Sequence, residues 1–142
     1  MMVNETRLRV RYGETDRMGY AYYGNYLLYY EIGRTEMIRQ LGLSYKELED
    51  SGVLLPVHSS NLRYLAPALY DDLLTIKTFL KEYPSASILF EHEIYNGEGK
   101  LIHTGQVKLV FVDAHTRRPM RAPDFFLDKI KRYFPEMDNP QK

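Results

Sequence analysis

A chain of 142 residues, 44% apolar and 27% charged, has the length of one domain and the composition of a soluble globular protein, which excludes a disordered or membrane-embedded class. Nineteen Lys and Arg balance nineteen Asp and Glu, so the basic footprint of a general nucleic-acid binder is missing. The absence of cysteine excludes disulfides, thiolate metal sites and cysteine nucleophiles, while thirteen Tyr supply apolar faces that end in hydroxyls needing a partner when buried.

Met1 to Val10 alternates polar and apolar residues without the apolar run of a leader, and no stretch approaches the roughly 18 apolar residues of a membrane span. A cytoplasmic location is the expectation. Arg7 to Tyr12 predicts a strand with Leu8, Val10 and Tyr12 on its inward face, ending at Gly13. A polar loop, Glu14 to Gly19, and an irregular lead-in, Tyr20 to Asn25, follow. Tyr26, Leu27, Tyr30, Met37, Ile38 and Leu41 recur at helical spacing up to a stop at Gly42. The first half of that helix, Tyr26 to Tyr30, is apolar or aromatic all round, which predicts that other structure encloses it. Ser44-Tyr45-Lys46-Glu47 is a capping-box sequence and predicts a short helix from Tyr45 to Ser51, closed by Gly52.

The remainder reads as strand. Leu54 to Tyr64 is one strand; Leu74, Ile76, Thr78 and Leu80 share a face of the next; Ile88, Phe90, His92 and Ile94 share a face of a third; and Leu101 to Asp113 forms a long fourth. Turns at Tyr83-Pro84-Ser85 and Asn96-Gly97-Glu98-Gly99 join the last three into an antiparallel meander. Pro123 suits the first turn of a closing helix with Phe126, Ile130, Tyr133 and Phe134 on one face, and Pro135 to Lys142 reads as a frayed tail. The order predicts a single α+β domain over residues 1–142, with a twisted antiparallel sheet wrapped round one long helix.

No Gly-x-Ser-x-Gly, His-Glu-x-x-His or phosphate-loop motif is present, and His58, His92, His103 and His115 are scattered singly as strand or loop residues, so no metal is expected. What remains is Asp16 and the turn into the long helix. A loop aspartate is most often a turn or capping residue. It gains a chemical use when an electrophilic carbonyl lies beside it, to be attacked directly or through a deprotonated water. The first N–H groups of a helix lack intrahelical partners and sit at its positive end, so the amides around Tyr23, Gly24 and Asn25 suit a developing oxyanion. Gly24 permits close approach to the backbone or simply a turn, and Asn25 is equally a candidate N-cap. Glu31 with Arg34, and Glu36 with Arg39, read as helix ion pairs. Tyr20, Tyr22 and Tyr64 are candidates for a ligand cleft as well as for packing. From His115 onward seven Lys and Arg face four Asp and Glu, and Arg117, Arg118 and Arg121 are candidates for meeting phosphates, against a plain solvated turn.

The run Glu14-Thr15-Asp16-Arg17-Met18-Gly19-Tyr20-Ala21-Tyr22-Tyr23-Gly24-Asn25-Tyr26-Leu27, continued by Tyr30-Glu31-Ile32-Gly33-Arg34-Thr35-Glu36, resembles the signature of the 4-hydroxybenzoyl-CoA thioesterase family and its Tol-Pal-associated acyl-CoA thioesterase relatives. Tyr64-Leu65-Ala66-Pro67-Ala68-Leu69-Tyr70-Asp71-Asp72 resembles the same family's second strand and turn. The resemblance implies a hot-dog fold. It implies hydrolysis of an acyl-CoA thioester with Asp16 as nucleophile or general base, and with the Tyr23 amide polarising the carbonyl. It implies no bound cofactor, coenzyme A being part of the substrate, and a homodimer or a tetramer built from dimers. Tyr23 matches the hydroxybenzoyl type, whereas Tol-Pal-associated members usually carry His there, so no role for that histidine is carried over. An acyl-carrier-protein thioesterase and a non-catalytic acyl-CoA-binding module are the alternatives on the same fold.

Overall fold

Helix α1 (Asn25–Gln40), about 24 Å long at the usual rise, lies across one face of a five-stranded antiparallel sheet, and the other elements are arranged round that contact. The structure, a computed structural model, describes residues 1–138. In chain order, β1 (Met2–Arg9) and a 3₁₀ turn (Tyr12–Glu14) precede α1; α2 (Tyr45–Asp50), β2 (Val53–Leu54), β3 (Val57–Tyr64), β4 (Leu73–Leu80), β5 (Ser87–Tyr95), β6 (Leu101–Val110), β7 (Val112–Asp113) and α3 (Asp124–Ile130) follow. The sheet order is β1-β4-β5-β6-β3, so the meander β4-β5-β6 forms its centre and β1 and β3 its edges. β2 and β7 pair separately as a short ribbon.

The alternation in β4 and β5 fixes which face meets the helix: Leu74, Ile76, Thr78 and Leu80, with Ile88, Phe90, His92 and Ile94, are all buried. Helix and sheet approach closely because two glycines clear the way. A Cβ on Gly33 would overlap Thr78 Oγ1 and stand 3.1 Å from Ile76 Cγ2, and one on Gly105 would stand 2.6 Å from Tyr30 Cε2. Tyr30 therefore lies flat in the contact, stacked on His92 at 4.3 Å between ring centroids. This is the hot-dog arrangement. α1 and α2 stop at Gly42 and Gly52, and Ser44 Oγ accepts the Glu47 N–H at 3.1 Å, as the capping sequence requires.

Several expectations need correction. β1 begins at Met2 and ends at Arg9, because its whole length pairs with β4 from Met2 opposite Leu80 to Arg9 opposite Leu73. Tyr12 is not inward: Arg11 bonds back to Glu14, the chain tightens into the 3₁₀ turn, and Tyr12 is left 79% exposed. The expected strand Leu54 to Tyr64 is split at Pro56, which has no N–H for a ladder. The long last strand is likewise split at Phe111, which bonds Ala86 and Met120 while the chain leaves β5 to meet β2. Helix α1 is not enclosed on every side, since Leu27, Leu28 and Ile32 lie open on its outer face. Arg39 pairs with Glu36, but Arg34 turns inward, is 5% exposed and stands over the Phe90 ring instead of meeting Glu31. Pro123 is the N-cap of α3 rather than part of its first turn. Residues Pro135–Asp138 form a further 3₁₀ turn, and the rest of the expected frayed tail lies outside the described residues.

Candidate active site

Asp16 opens a tight hairpin whose sequence dictates its shape. The Gly19 N–H returns to the Asp16 carbonyl at 3.1 Å, the Asp16 N–H donates to the Tyr20 carbonyl at 2.8 Å, and Gly19 takes φ +77°. This is a turn with Asp first and a left-handed Gly last, the pattern that a three-residue hairpin loop prefers. Asp16 Oδ1 accepts the N–H of Met18 at 2.8 Å and of Tyr20 at 3.3 Å. The turn reading of the aspartate is thus realised through one oxygen. Among the described residues, no hydrogen bond occupies Oδ2.

Glu14 pins this hairpin to α1, a role that no motif announced. Its carbonyl accepts the Tyr22 N–H at 2.8 Å and Asn25 Nδ2 at 2.7 Å, and its carboxylate accepts the Arg11 N–H at 2.9 Å and the Tyr29 hydroxyl at 3.0 Å. Burial works to raise the Glu14 pKa, but the hydrogen bonds from Arg11 and Tyr29 outweigh it and hold the carboxyl below its ordinary range. Asn25 is accordingly occupied with Glu14, and Gly24 takes the N-cap position without a side-chain cap.

At the start of α1 the Asn25 N–H donates to the Tyr22 carbonyl at 2.9 Å. The N–H groups of Tyr23 and Gly24 meet no acceptor among the described residues. The space where Gly24 lacks a Cβ is filled by the Tyr22 ring, 2.9 Å from an ideal Cβ, so this glycine accommodates Tyr22 directly. Tyr22 in turn packs on Tyr23 with ring centroids 4.6 Å apart.

A groove of about 350 Å³ gathers Asp16, Tyr20, Tyr23 and Tyr64 with Met18, Ala21 and Tyr26, and its far wall is Leu65-Ala66-Pro67. Four of the expected site residues thus meet in one place, whereas Gly24 and Asn25 lie just behind it and Tyr22 flanks it. Tyr26 was expected only as a core residue. Its hydroxyl accepts the Ala68 N–H at 3.3 Å, and its pKa is raised chiefly by burial, with Tyr64 and the Asp16 carboxylate adding to the effect. Pro67 and its neighbours gave no signal as a wall, because what holds them is the Ile102 carbonyl, which takes the N–H groups of both Leu65 and Ala66. A second groove of about 600 Å³ reaches Asp16 from the other side, between Tyr12, Tyr70 and Arg17.

Behind the first groove stands a buried polar pair. The Tyr30 hydroxyl bonds His103 Nδ1, and Tyr26 stacks on the His103 ring at 4.3 Å. Burial lowers the His103 pKa to about 4 and holds His92 well below the usual imidazole value. Both rings are therefore neutral near pH 7, and Tyr30, its own pKa raised by burial, keeps its proton. Arg117, Arg118 and Arg121 lie elsewhere: Arg117 and Arg118 close the turn after β7, with the Arg117 N–H on the Asp113 carbonyl at 2.8 Å. None of the three borders either groove around Asp16.

The fold finds its counterpart in known proteins. Residues 10–130 match the model of the thioesterase-like superfamily, and the chain belongs to that superfamily. It is 34% identical over 128 residues to YneP of Bacillus subtilis, which is named provisionally as an acyl-CoA thioesterase, a match covering 90% of this chain and 93% of that one. It is 33% identical over 125 residues to the acyl-CoA thioester hydrolase YbgC of Escherichia coli O6:H1, covering 88% and 93% respectively. The solved structure of DHNA-CoA thioesterase from Staphylococcus aureus superposes with a TM-score of 0.82 at 33% identity, over 97% of this chain and 87% of that one.

Proposed function

We propose that this chain hydrolyses an acyl-CoA thioester to a carboxylic acid and free coenzyme A, with Asp16 attacking the carbonyl carbon or deprotonating the water that does. One observation carries the reading: Asp16, whose Oδ2 meets no partner among the described residues, and Tyr23, whose amide at the head of α1 likewise meets none among them, border the same largely apolar groove. If Asp16 is the nucleophile, its oxygen bonds the carbonyl carbon, the C–S bond breaks, coenzyme A leaves as a thiolate that takes a proton from solvent, and water hydrolyses the resulting anhydride. If it is the base, it takes a proton from water as the oxygen of that water adds to the carbon, and the proton passes on to the departing sulfur. Either route puts negative charge on the carbonyl oxygen, which the Tyr23 and Gly24 amides are free to receive.

Coenzyme A enters as part of the substrate, and no metal or bound cofactor has a step in this scheme. Tyr20 and Tyr64, with Tyr26, would wall the acyl group, with Tyr22 and Asn25 supporting the amides. Arg117, Arg118 and Arg121 would serve the phosphates only from a second copy, given their distance in sequence and fold from the grooves. The chain works as a homo-oligomer in this reading, because β3 is an open sheet edge that leads directly into the groove wall. Among the described residues no helix is long and apolar enough to cross a membrane, and a cytoplasmic location is proposed with the activity.

The test is a panel of acyl-CoA and acyl-carrier-protein thioesters with detection of free thiol. Cleavage of CoA thioesters is expected, and Asp16→Asn should lower kcat by about 100-fold or more while leaving the fold intact. Undiminished turnover would remove Asp16 from the chemistry. A single turnover in ¹⁸O-water, followed by mass analysis of the Asp16 peptide, bears on the route: label in the side chain means attack by Asp16 itself, with water opening the anhydride at the aspartyl carbon.

A further inference from the structure

Building on the hydrolase reading, we propose that Tyr64, besides bordering the groove with its ring, is a positioning residue for the oxyanion donors, acting through its hydroxyl on the carbonyl of Tyr23. The Tyr64 hydroxyl donates to the Tyr23 carbonyl at 3.2 Å. That carbonyl belongs to the peptide unit whose N–H is the Gly24 amide. A hydrogen bond accepted at one end of a peptide unit polarises it and makes the N–H at the other end a stronger donor. The preceding unit is treated the same way, since the Tyr22 carbonyl accepts the Asn25 N–H at 2.9 Å and the other end of that unit is the Tyr23 amide. The Tyr23 and Gly24 amides, which meet no acceptor among the described residues, thus both belong to peptide units whose carbonyls are engaged.

What fixes Tyr64 is built into the core. It ends β3 opposite His103 on β6, and its ring meets His103 edge-on at 4.5 Å and Tyr26 edge-on at 5.3 Å. His103 is held from behind by the Tyr30 hydroxyl. The ring is therefore aimed by buried neighbours, and the hydroxyl reaches past the groove to the backbone. Burial, followed by the nearby Tyr23, raises the Tyr64 pKa, so the phenol keeps its proton and remains a donor through the neutral range. A residue that only lined the acyl pocket would need none of this alignment.

Tyr64→Phe keeps the ring and its edge contacts and deletes only the donor. The expected result is a kcat about threefold to tenfold lower, by the same factor for a short aliphatic and an aromatic acyl-CoA, with KM unchanged. In the ligand-free protein, labelled with ¹⁵N-glycine, the Gly24 amide proton should move upfield. A stationary Gly24 resonance, an unchanged kcat, or a loss that varies with the acyl group or falls in KM would overturn the proposal. The resonance is read without substrate, so it separates the two levels: a wild-type chain inert toward every thioester would sink the hydrolase reading and with it this use of Tyr64, whereas an active wild type with a stationary Gly24 resonance would sink the proposal alone.

Discussion

His103 is an imidazole placed where water does not reach it, with one nitrogen on the Tyr30 hydroxyl and the other, Nε2, unpaired among the described residues. Its pKa falls to about 4 on folding through burial, against roughly 6.5 in the unfolded chain. The sign follows from proton counting: as pH drops below about 6.5 the unfolded chain binds a proton that the folded one refuses, so stability is lost progressively down to about pH 4. His92, depressed in the same direction by burial and then by Arg34 and His103, adds to that loss. Urea unfolding at steps from pH 7.5 to 4.5 should show falling midpoints, and His103→Gln, which cannot take up the proton, should flatten part of the slope. An unaltered slope in the variant would mean that His103 is not buried neutral. None of this was readable from the sequence, where a single histidine in an alternating strand looks like any other inward residue. Asp16 was readable as a turn residue beside a helix start, because Asp and Gly at the two ends of a short loop have few other uses. Glu14 was not, since its partners Tyr29 and Asn25 are brought to it by the helix.

Between elements, the decisive contact is α1 on β4, where Gly33 faces Thr78. Gly33→Ala sets two effects against each other. Alanine in a helix interior is favoured over glycine by about 1 kcal/mol, and overpacking a closed contact costs about 1–3 kcal/mol. Here the obstructing atom is the hydroxyl of a stiff, β-branched residue already bonded to His92 Nδ1 at 3.1 Å, so it has little room to yield. Net destabilisation is expected by thermal or urea unfolding. Adding Thr78→Ala removes the obstruction, so the double variant should be more stable than the sum of the two single effects; simple additivity would show that the contact is looser than it looks. The strands β4 to β6 and both helix stops were legible, because alternation, Gly and the Ser44 cap act locally. The start of β1 was not, since its inward face carries Asn4 and Thr6 and only the pairing with β4 declares it a strand. Arg34 was misread for a related reason: three-residue spacing makes an ion pair with Glu31 available, but the rotation of α1 on the sheet buries that position.

For the molecule as a whole, the open question of symmetry is tied to β3. Its outer edge carries unpaired backbone groups along an almost entirely exposed strand, an arrangement that soluble proteins rarely leave bare. Two copies of one edge strand related by a two-fold axis run antiparallel, so self-pairing along β3 would continue the antiparallel order of the sheet. Tyr64-Leu65-Ala66-Pro67 follows at once, so a partner on β3 would close the open side of the groove. Light scattering at micromolar concentration should therefore give a dimer or a multiple of one, and specific activity should fall on dilution to monomer. Ser60 and Asn61 sharpen the test. They are neighbours in the regular part of β3, so one directs its N–H to β6 and the other away. Proline at the outward position removes only the donor meant for a second copy and is tolerated on an edge; proline at the inward position breaks the ladder to β6. One of the two variants should fold, remain monomeric and lose activity, and a wild-type chain that is fully active as a monomer would refute the pairing.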